Sequence, residues 1–336
     1  MRFTHHINGT LQNFSRALIA ALAAPVALMM GGCSATATST APPQIHLQGP
    51  EAVLRAGFSN PNPSTRAITL ESLKHLHSPL ALQLVKRGLS DSSPMVEFTA
   101  AMVAGDQKIA ELKKSLIGLA HGPAVSVRPA AIYALARLGD DTYMNTLPTM
   151  LTSKNPIVRA NAAFVLGRLG DKSAIALLRT DASDHSHAVK LAVTSALARL
   201  GYRRAVNSIV ALSLSPYAGD HLAALSTCRT LQNPIAVNVL LAGLKDPAPP
   251  AQLIAARGLG QRGSTLGEKI AVQASKNPNS HLRALGALAL GSIPVSSNAQ
   301  RLEKMLTDPN ARVRIAAASG LIHLRLLAQI ALEGKR

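Results

Sequence analysis

The stretch "NPIVRANAAFVLGRLGD" (residues 155–171) reads as a helix start, an alanine-rich helix and a stop. Asn155-Pro156 opens it, because proline at a helix start gives up a backbone N–H that has no intrahelical partner there. Gly170 closes it, because a glycine just past a helix end takes the left-handed conformation that other residues resist. Between them, Ala162, Leu166 and Leu169 recur at helical spacing and form an apolar stripe. Thirty-one residues earlier, "PAVSVRPAAIYALARLGD" (residues 123–140) repeats the same grammar.

The repeat persists along the chain. With Arg159 as position zero, steps of 31 land on Arg66, Glu97, Arg128, Arg159, Lys190, His221, Gln252, Arg283 and Arg314. Seven positions later stand Leu73, Ala104, Leu135, Leu166, Leu197, Cys228, Leu259, Leu290 and Leu321. Small or β-branched residues fill plus three, and apolar ones fill plus nineteen, from Val85 and Leu116 to Leu302. Nine units keep register without an insertion, and each reads as two helices. The second helix carries the Arg–small–Leu pattern and, in four units, stops at Gly139, Gly170, Gly201 or Gly263.

Units such as "VRANAAFVLGRLGD" and "ARVRIAAASGLIHL" resemble HEAT repeats, specifically the short type named after phycobilisome lyases. The resemblance covers about residues 51–324, with the first, second and sixth units degenerate. It implies an all-α fold, an α-solenoid of nine 31-residue helix pairs of the armadillo kind, curved with the signature helix on its concave side. Composition agrees. The chain has 336 residues, 47% hydrophobic but only 3% aromatic and without tryptophan, so aliphatic side chains must pack closely spaced helices.

The N-terminus reads as an address. Residues 1–16 carry Arg2 and Arg16 and no acid, and "ALIAALAAPVALMM" (17–30) is an uncharged run too short to span a bilayer. Met30-Gly31-Gly32-Cys33 resembles the lipobox of bacterial lipoproteins, with Met30 where that family usually has leucine. The resemblance implies cleavage before Cys33, acylation of Cys33 and, with Ser34 next, export to the periplasmic face of the outer membrane. Residues 33–50, rich in Ser, Thr, Ala and Pro, would then be a tether, and 51–336 the repeat body. The formal charge is +18; without residues 1–32, 33 bases stand against 17 acids, which leaves +16. Such a balance favours an anionic partner, and the export signal argues against nucleic acid.

An angular count at about 100° per residue sorts the second helix. Plus three, seven and ten face the partner helix; small residues at plus one, four, six and eight flank that stripe; plus two, five and nine remain exposed. Position zero lies near the core edge, where its arginine reads as a ladder bonded to turn carbonyls or a neighbouring aspartate. Plus nine holds Arg137, Arg168 and Arg199 in consecutive units, a basic row about 20 Å long at ordinary helix spacing. Tyr133 and Phe164 at plus five lie beside it, with Arg257 further along their track. Exposed aromatics next to arginine suggest a binding patch, although a solvated basic face gives the same pattern.

Chemistry is poorly marked. No metal-ligand spacing, phosphate-cradling loop or nucleophile–base arrangement appears, and "DHSH" (184–187) is the one dense cluster, in a loop. The leading expectation is therefore a lipid-anchored, non-catalytic scaffold without a cofactor, holding a protein segment or anionic envelope component on a basic concave face. A lyase-type chromophore-attachment or other enzyme accessory factor is the alternative.

Overall fold

A computed structural model of the chain describes residues 49–333, with side chains to 328. The leader, Cys33 and most of the tether lie outside the described residues. Nine helix pairs follow one another: α1 (Gly49–Phe58) and α2 (Pro63–Ser72), α3 (Pro79–Gly88) and α4 (Pro94–Gln107), α5 (Lys113–His121) and α6 (Arg128–Arg137). Next come α7 (Leu147–Leu151) and α8 (Pro156–Leu169), α9 (Ala174–Thr180) and α10 (His187–Arg199), α11 (Arg203–Leu212) and α12 (Ala218–Cys228). The last three are α13 (Pro234–Gly243) and α14 (Pro249–Gly260), α15 (Glu268–Ala274) and α16 (Ser280–Leu290), α17 (Ser297–Met305) and α18 (Ala311–Glu333). The described residues contain no strand, and the all-α solenoid expected from the 31-residue period is what they form.

The helices start and stop where the residues dictate. Asn62, Asn155, Asn233 and Asn279 accept a hydrogen bond from the amide two residues on, and proline occupies the first turn of α2, α3, α4, α8, α13 and α14. The stop glycine of the fourth unit, Gly170, has φ +82°, which L side chains resist. Lys108 stands at the matching place of the second unit and adopts φ +53° without being glycine. The plus-seven residues are all buried, from Leu73 at 0% exposure to Leu321 at 1%. Consecutive inner helices approach so closely that a Cβ on Gly167 would stand 2.6 Å from Ala196 Cα. Small residues at plus eight are thus a condition of the stacking.

Position zero forms the expected ladder. Arg159 donates through Nε and Nη2 to both carboxylate oxygens of Asp184, 25 residues ahead in the next unit, and through Nη1 to the carbonyl of Ser153 at 2.7 Å. Arg66 repeats this with Asp91 and Asn60, Arg283 with Asp308 and Asn277, and His221 substitutes with Asp246. Each aspartate also accepts the backbone N–H two residues on, so one carboxylate fixes a loop and clamps two units. The Arg159 hydrogen bond leads the causes holding Asp184 below the usual carboxylate range.

The solenoid bends far enough to meet itself. Helix α18 of the ninth unit packs on α1 and α2 of the first, as consecutive units pack on each other. At this seam, Ile315 is 1% exposed and a Cβ on Gly57 would stand 2.8 Å from its Cδ1; His75 and His323 tilt their rings together at 5.7 Å. The expected curved rod is therefore a ring, and its concave side, formed by the second helix of each pair, is an inner wall. Nine helices about 8–10 Å apart enclose a circle only about 26 Å across between axes. Subtracting helices about 10–12 Å wide with their side chains leaves a lumen of about 15 Å.

Two outcomes are expected. Ile315→Asp buries a charge in the seam and should raise hydrogen exchange in α1 and α2 before the middle units; uniform protection would contradict closure. Lys108→Gly should stabilise the chain by about 0.5–1 kcal/mol, read as a higher urea midpoint.

Candidate functional site: the inner wall of the ring

The inner wall is built from plus five, eight and nine of the second helices. Its best satisfied part centres on Asp106 of α4, at plus nine in the second unit. The Tyr133 hydroxyl (α6) and Arg168 Nη2 (α8) both donate to Asp106 Oδ1, Arg168 Nη2 lies 3.2 Å from the Tyr133 oxygen, and Lys74 Nζ is 3.6 Å from Asp106 Oδ2. One carboxylate thus joins four consecutive units. Burial pulls Asp106 upward, but the Arg168 and Lys74 charges outweigh it and leave its pKa lowered. Burial likewise works against the Arg168 charge, which Asp106 more than restores, so its pKa is raised. Tyr133 is raised, first by burial.

Beyond this node the wall is basic and short of partners. Arg199 (α10) lies with its guanidinium carbon 5.7 Å over the Phe164 ring; burial first, then the Arg168 and Arg229 charges, lower it to about 10. Arg229, just after α12, reaches Gln261 Oε1 at 3.4 Å. Its pKa is also lowered, by burial above all, with Glu71 opposing and Arg168 and Arg262 reinforcing. Arg257 (α14) is lowered to about 9 by burial and by Arg229, against the pull of Glu71, and its Nε is buried without a partner. Glu71 belongs to α2 of the first unit, and its charge opposes the lowering of both Arg229 and Arg257. Arg262 is settled differently: it donates to the carbonyls of Cys228, Arg229, Leu231 and Gly258 and ties the sixth unit to the seventh. At the seam, His75 is held down at about 4 by burial, then by Lys74 and His323; His323 is lowered by burial and Arg257, and its Nδ1 is a second orphan.

The expected row is rearranged. Tyr133 is not an exposed ring: it is 2% exposed, covered by the preceding unit through Asp106. Phe164 is half-buried, 6.3 Å from Phe98 and beneath Arg199. Arg168 is drawn two units back onto Asp106, so it is not free. Arg137, the last residue of α6, is exposed instead at the edge of an open hollow bordered by Lys108, Asp141 and Asp171. Arg199 and Arg257 do share the wall, joined by Arg229. Asn161, expected to face outward at plus two, is 6% exposed and donates to the Ser126 carbonyl at 2.8 Å. Reading the helix against one partner missed that the preceding unit covers this flank. In "DHSH", Asp184 serves the ladder and His187 lies 3.4 Å from Asp220.

Asp106, Glu71, Lys74, His75, Arg229 and His323 were absent from the expected site. Asp106, His75 and His323 occupy the plus-nine track and Glu71 the plus-five track, so their faces were legible; which of them meet was not.

Among families, that of HEAT repeats matches residues 51–136, 144–226 and 237–322. No curated protein matches the sequence. Human deoxyhypusine hydroxylase in complex with glycerol is 18% identical over 82% of this chain and 97% of its own, with a TM-score of 0.37. The complex of CpcE and CpcF of phycocyanin lyase from Nostoc sp. PCC7120 is 20% identical over 74% and 97%, with a TM-score of 0.40. Kap121p bound to Pho4p is 14% identical over 81% and 37%, with a TM-score of 0.35. Each likeness concerns the helical-repeat fold alone.

Removing the one carboxylate that settles Arg168 should be costly. Asp106→Asn is expected to destabilise the chain by about 2–3 kcal/mol, because a desolvated guanidinium loses its counter-charge. Arg137→Met at the exposed edge should change stability by less than about 0.5 kcal/mol; urea unfolding of both variants checks the contrast.

Proposed function

The chain belongs to the HEAT-repeat family, and from that premise we propose that it works as a non-catalytic scaffold, lipid-anchored through Cys33 on the periplasmic side of a bacterial envelope. The repeats supply surface: protein partners dock along the rim, where Arg137 is exposed, and an anionic ligand sits on the inner wall. One observation carries the reading. The wall brings together Lys74, Arg168, Arg199, Arg229 and Arg257 against only Glu71 and Asp106, and Asp106 is already committed. A charge balance of that sign, enclosed at low dielectric, selects anions. Closure also limits what enters, because a lumen of about 15 Å is only slightly wider than one helix of about 10–12 Å.

The anchor is argued from Met30-Gly31-Gly32-Cys33 and the apolar run before it. Among the described residues no helix is long and apolar enough to cross a membrane. Membrane attachment of the repeat body therefore rests on Cys33 in this reading, and two or three acyl chains suffice for stable anchoring.

Crosslinking in the native envelope tests the scaffold. The wild-type chain should yield discrete protein adducts that weaken with Arg137→Glu, and Cys33→Ser should move the chain out of the membrane fraction. Absence of any adduct from the folded, membrane-bound chain would overturn the scaffold reading. A Cys33→Ser chain that stays membrane-bound would overturn the anchor.

A further inference from the structure

The inner wall treats its arginines unequally. Arg168 receives a carboxylate and a tyrosine hydroxyl, and Arg262 receives four carbonyls. Arg199, Arg229 and Arg257 receive neither. Arg199 has the face of Phe164, Arg229 a long bond to one amide oxygen, and Arg257 leaves Nε buried with nothing to bond. They project from α10, the end of α12 and α14, and the Arg229 charge lowers both Arg199 and Arg257, while Arg168 and Arg262 lower Arg229. Glu71 is the one described carboxylate that acts on the last two, and it is exposed and forms no ion pair with either. Three half-buried guanidinium groups without a carboxylate of their own, two of them repelled by the third, are a standing cost to the fold, of the kind that structural ion networks avoid and ligand sites retain.

We propose that Arg199, Arg229 and Arg257 form a binding site at the centre of the ring for a phosphate-bearing anion. The shape of the donors favours this chemistry. The three planar forks stand on the inner helices of three successive units, and a tetrahedral phosphate offers each of them an oxygen while carrying up to two negative charges. A planar carboxylate carries one negative charge and two oxygens, and Asp106 already spends both on Arg168, Tyr133 and Lys74. Arg257 spans the wall: its Nε is walled in, while its outer nitrogens remain accessible to the lumen. Glu71 then acts as a gatekeeper, a weak resident counter-charge that the phosphate displaces. This inference rests on the reading of the inner wall as a ligand surface and narrows the ligand to one class.

The test is thermal unfolding of the full chain in detergent, titrated with inorganic phosphate or glycerol phosphate against chloride at equal ionic strength. The expected result is a saturable rise in midpoint with either compound, and the stronger response identifies free phosphate or a lipid headgroup as the source. Arg257→Met keeps the buried stem and removes the charge. It should unfold no lower than wild type in chloride, since repulsion and the orphan nitrogen disappear, yet bind phosphate about tenfold more weakly or worse. Arg199→Met should weaken binding similarly, and Glu71→Gln should tighten it. A response to citrate alone, no saturable response, or a response equal in wild type and both arginine variants overturns the proposal. So does an Arg257→Met chain that is less stable by the same margin in both salts, which is the behaviour of a purely structural charge. Loss of the phosphate response with envelope crosslinks intact removes this site and leaves the scaffold reading standing; loss of the crosslinks alone does the reverse.

Discussion

The packing of α18 against α1 and α2 is the contact on which the rest of the molecule depends. In an open solenoid each unit meets only its neighbours, and the two end units need polar outer faces. Here the end units bury surface on each other: Ile315 in α18 is 1% exposed and stands against Gly57 in α1. Nine units must therefore share a full turn, about 40° each, and a unit that bends too little strains a junction elsewhere in the ring. The glycines at plus eight and the Arg–Asp ladder act on this angle from opposite sides. Gly167 and its equivalents let inner helices touch, while ladders such as Arg159–Asp184 hold the inter-helix turns of successive units at fixed spacing.

Closure also decides the electrostatics. The same arginines on an open concave face would be bathed in water and screened within about 10 Å. Inside the ring they share a narrow volume walled by helices, where desolvation is the largest influence on Arg168, Arg199, Arg229 and Arg257 alike. Their different fates follow from what the neighbouring units place on the facing tracks. Asp106 occupies plus nine two units before Arg168, so that charge is neutralised; plus nine two units before Arg229 and Arg257 holds Arg168 and Arg199, so those two find no carboxylate there.

Much of this was legible in the residues. The 31-residue step located the buried stripe, the capping asparagines, the left-handed glycines and the ladder, because each is set by contacts within a unit or between consecutive units. Tyr133 and Asn161 were misplaced for a related reason. The angular count considered one helix against one partner, whereas an inner helix is also covered by the unit before it. Arg229 stood at plus eight, where most units carry a small residue, so the sixth unit looked merely degenerate. Nothing in local spacing relates Glu71 to Arg229, because that proximity exists only after the ring has closed.

The seam and the arginine cluster are thermodynamically linked through that closure. Opening the ring between α18 and α1 would separate Glu71 from Arg229 and Arg257 and so remove the carboxylate that opposes the lowering of both. Arg199, Arg229 and Arg257 lie on consecutive units and stay together whether or not the seam is closed, so the link between the two places runs through Glu71, the carboxylate of the first unit that acts on Arg229 and Arg257. The first and sixth units, both degenerate in repeat signature, are where the inner wall carries a charge, Lys74 and Arg229, at the plus-eight place that most other units give to a small packing residue.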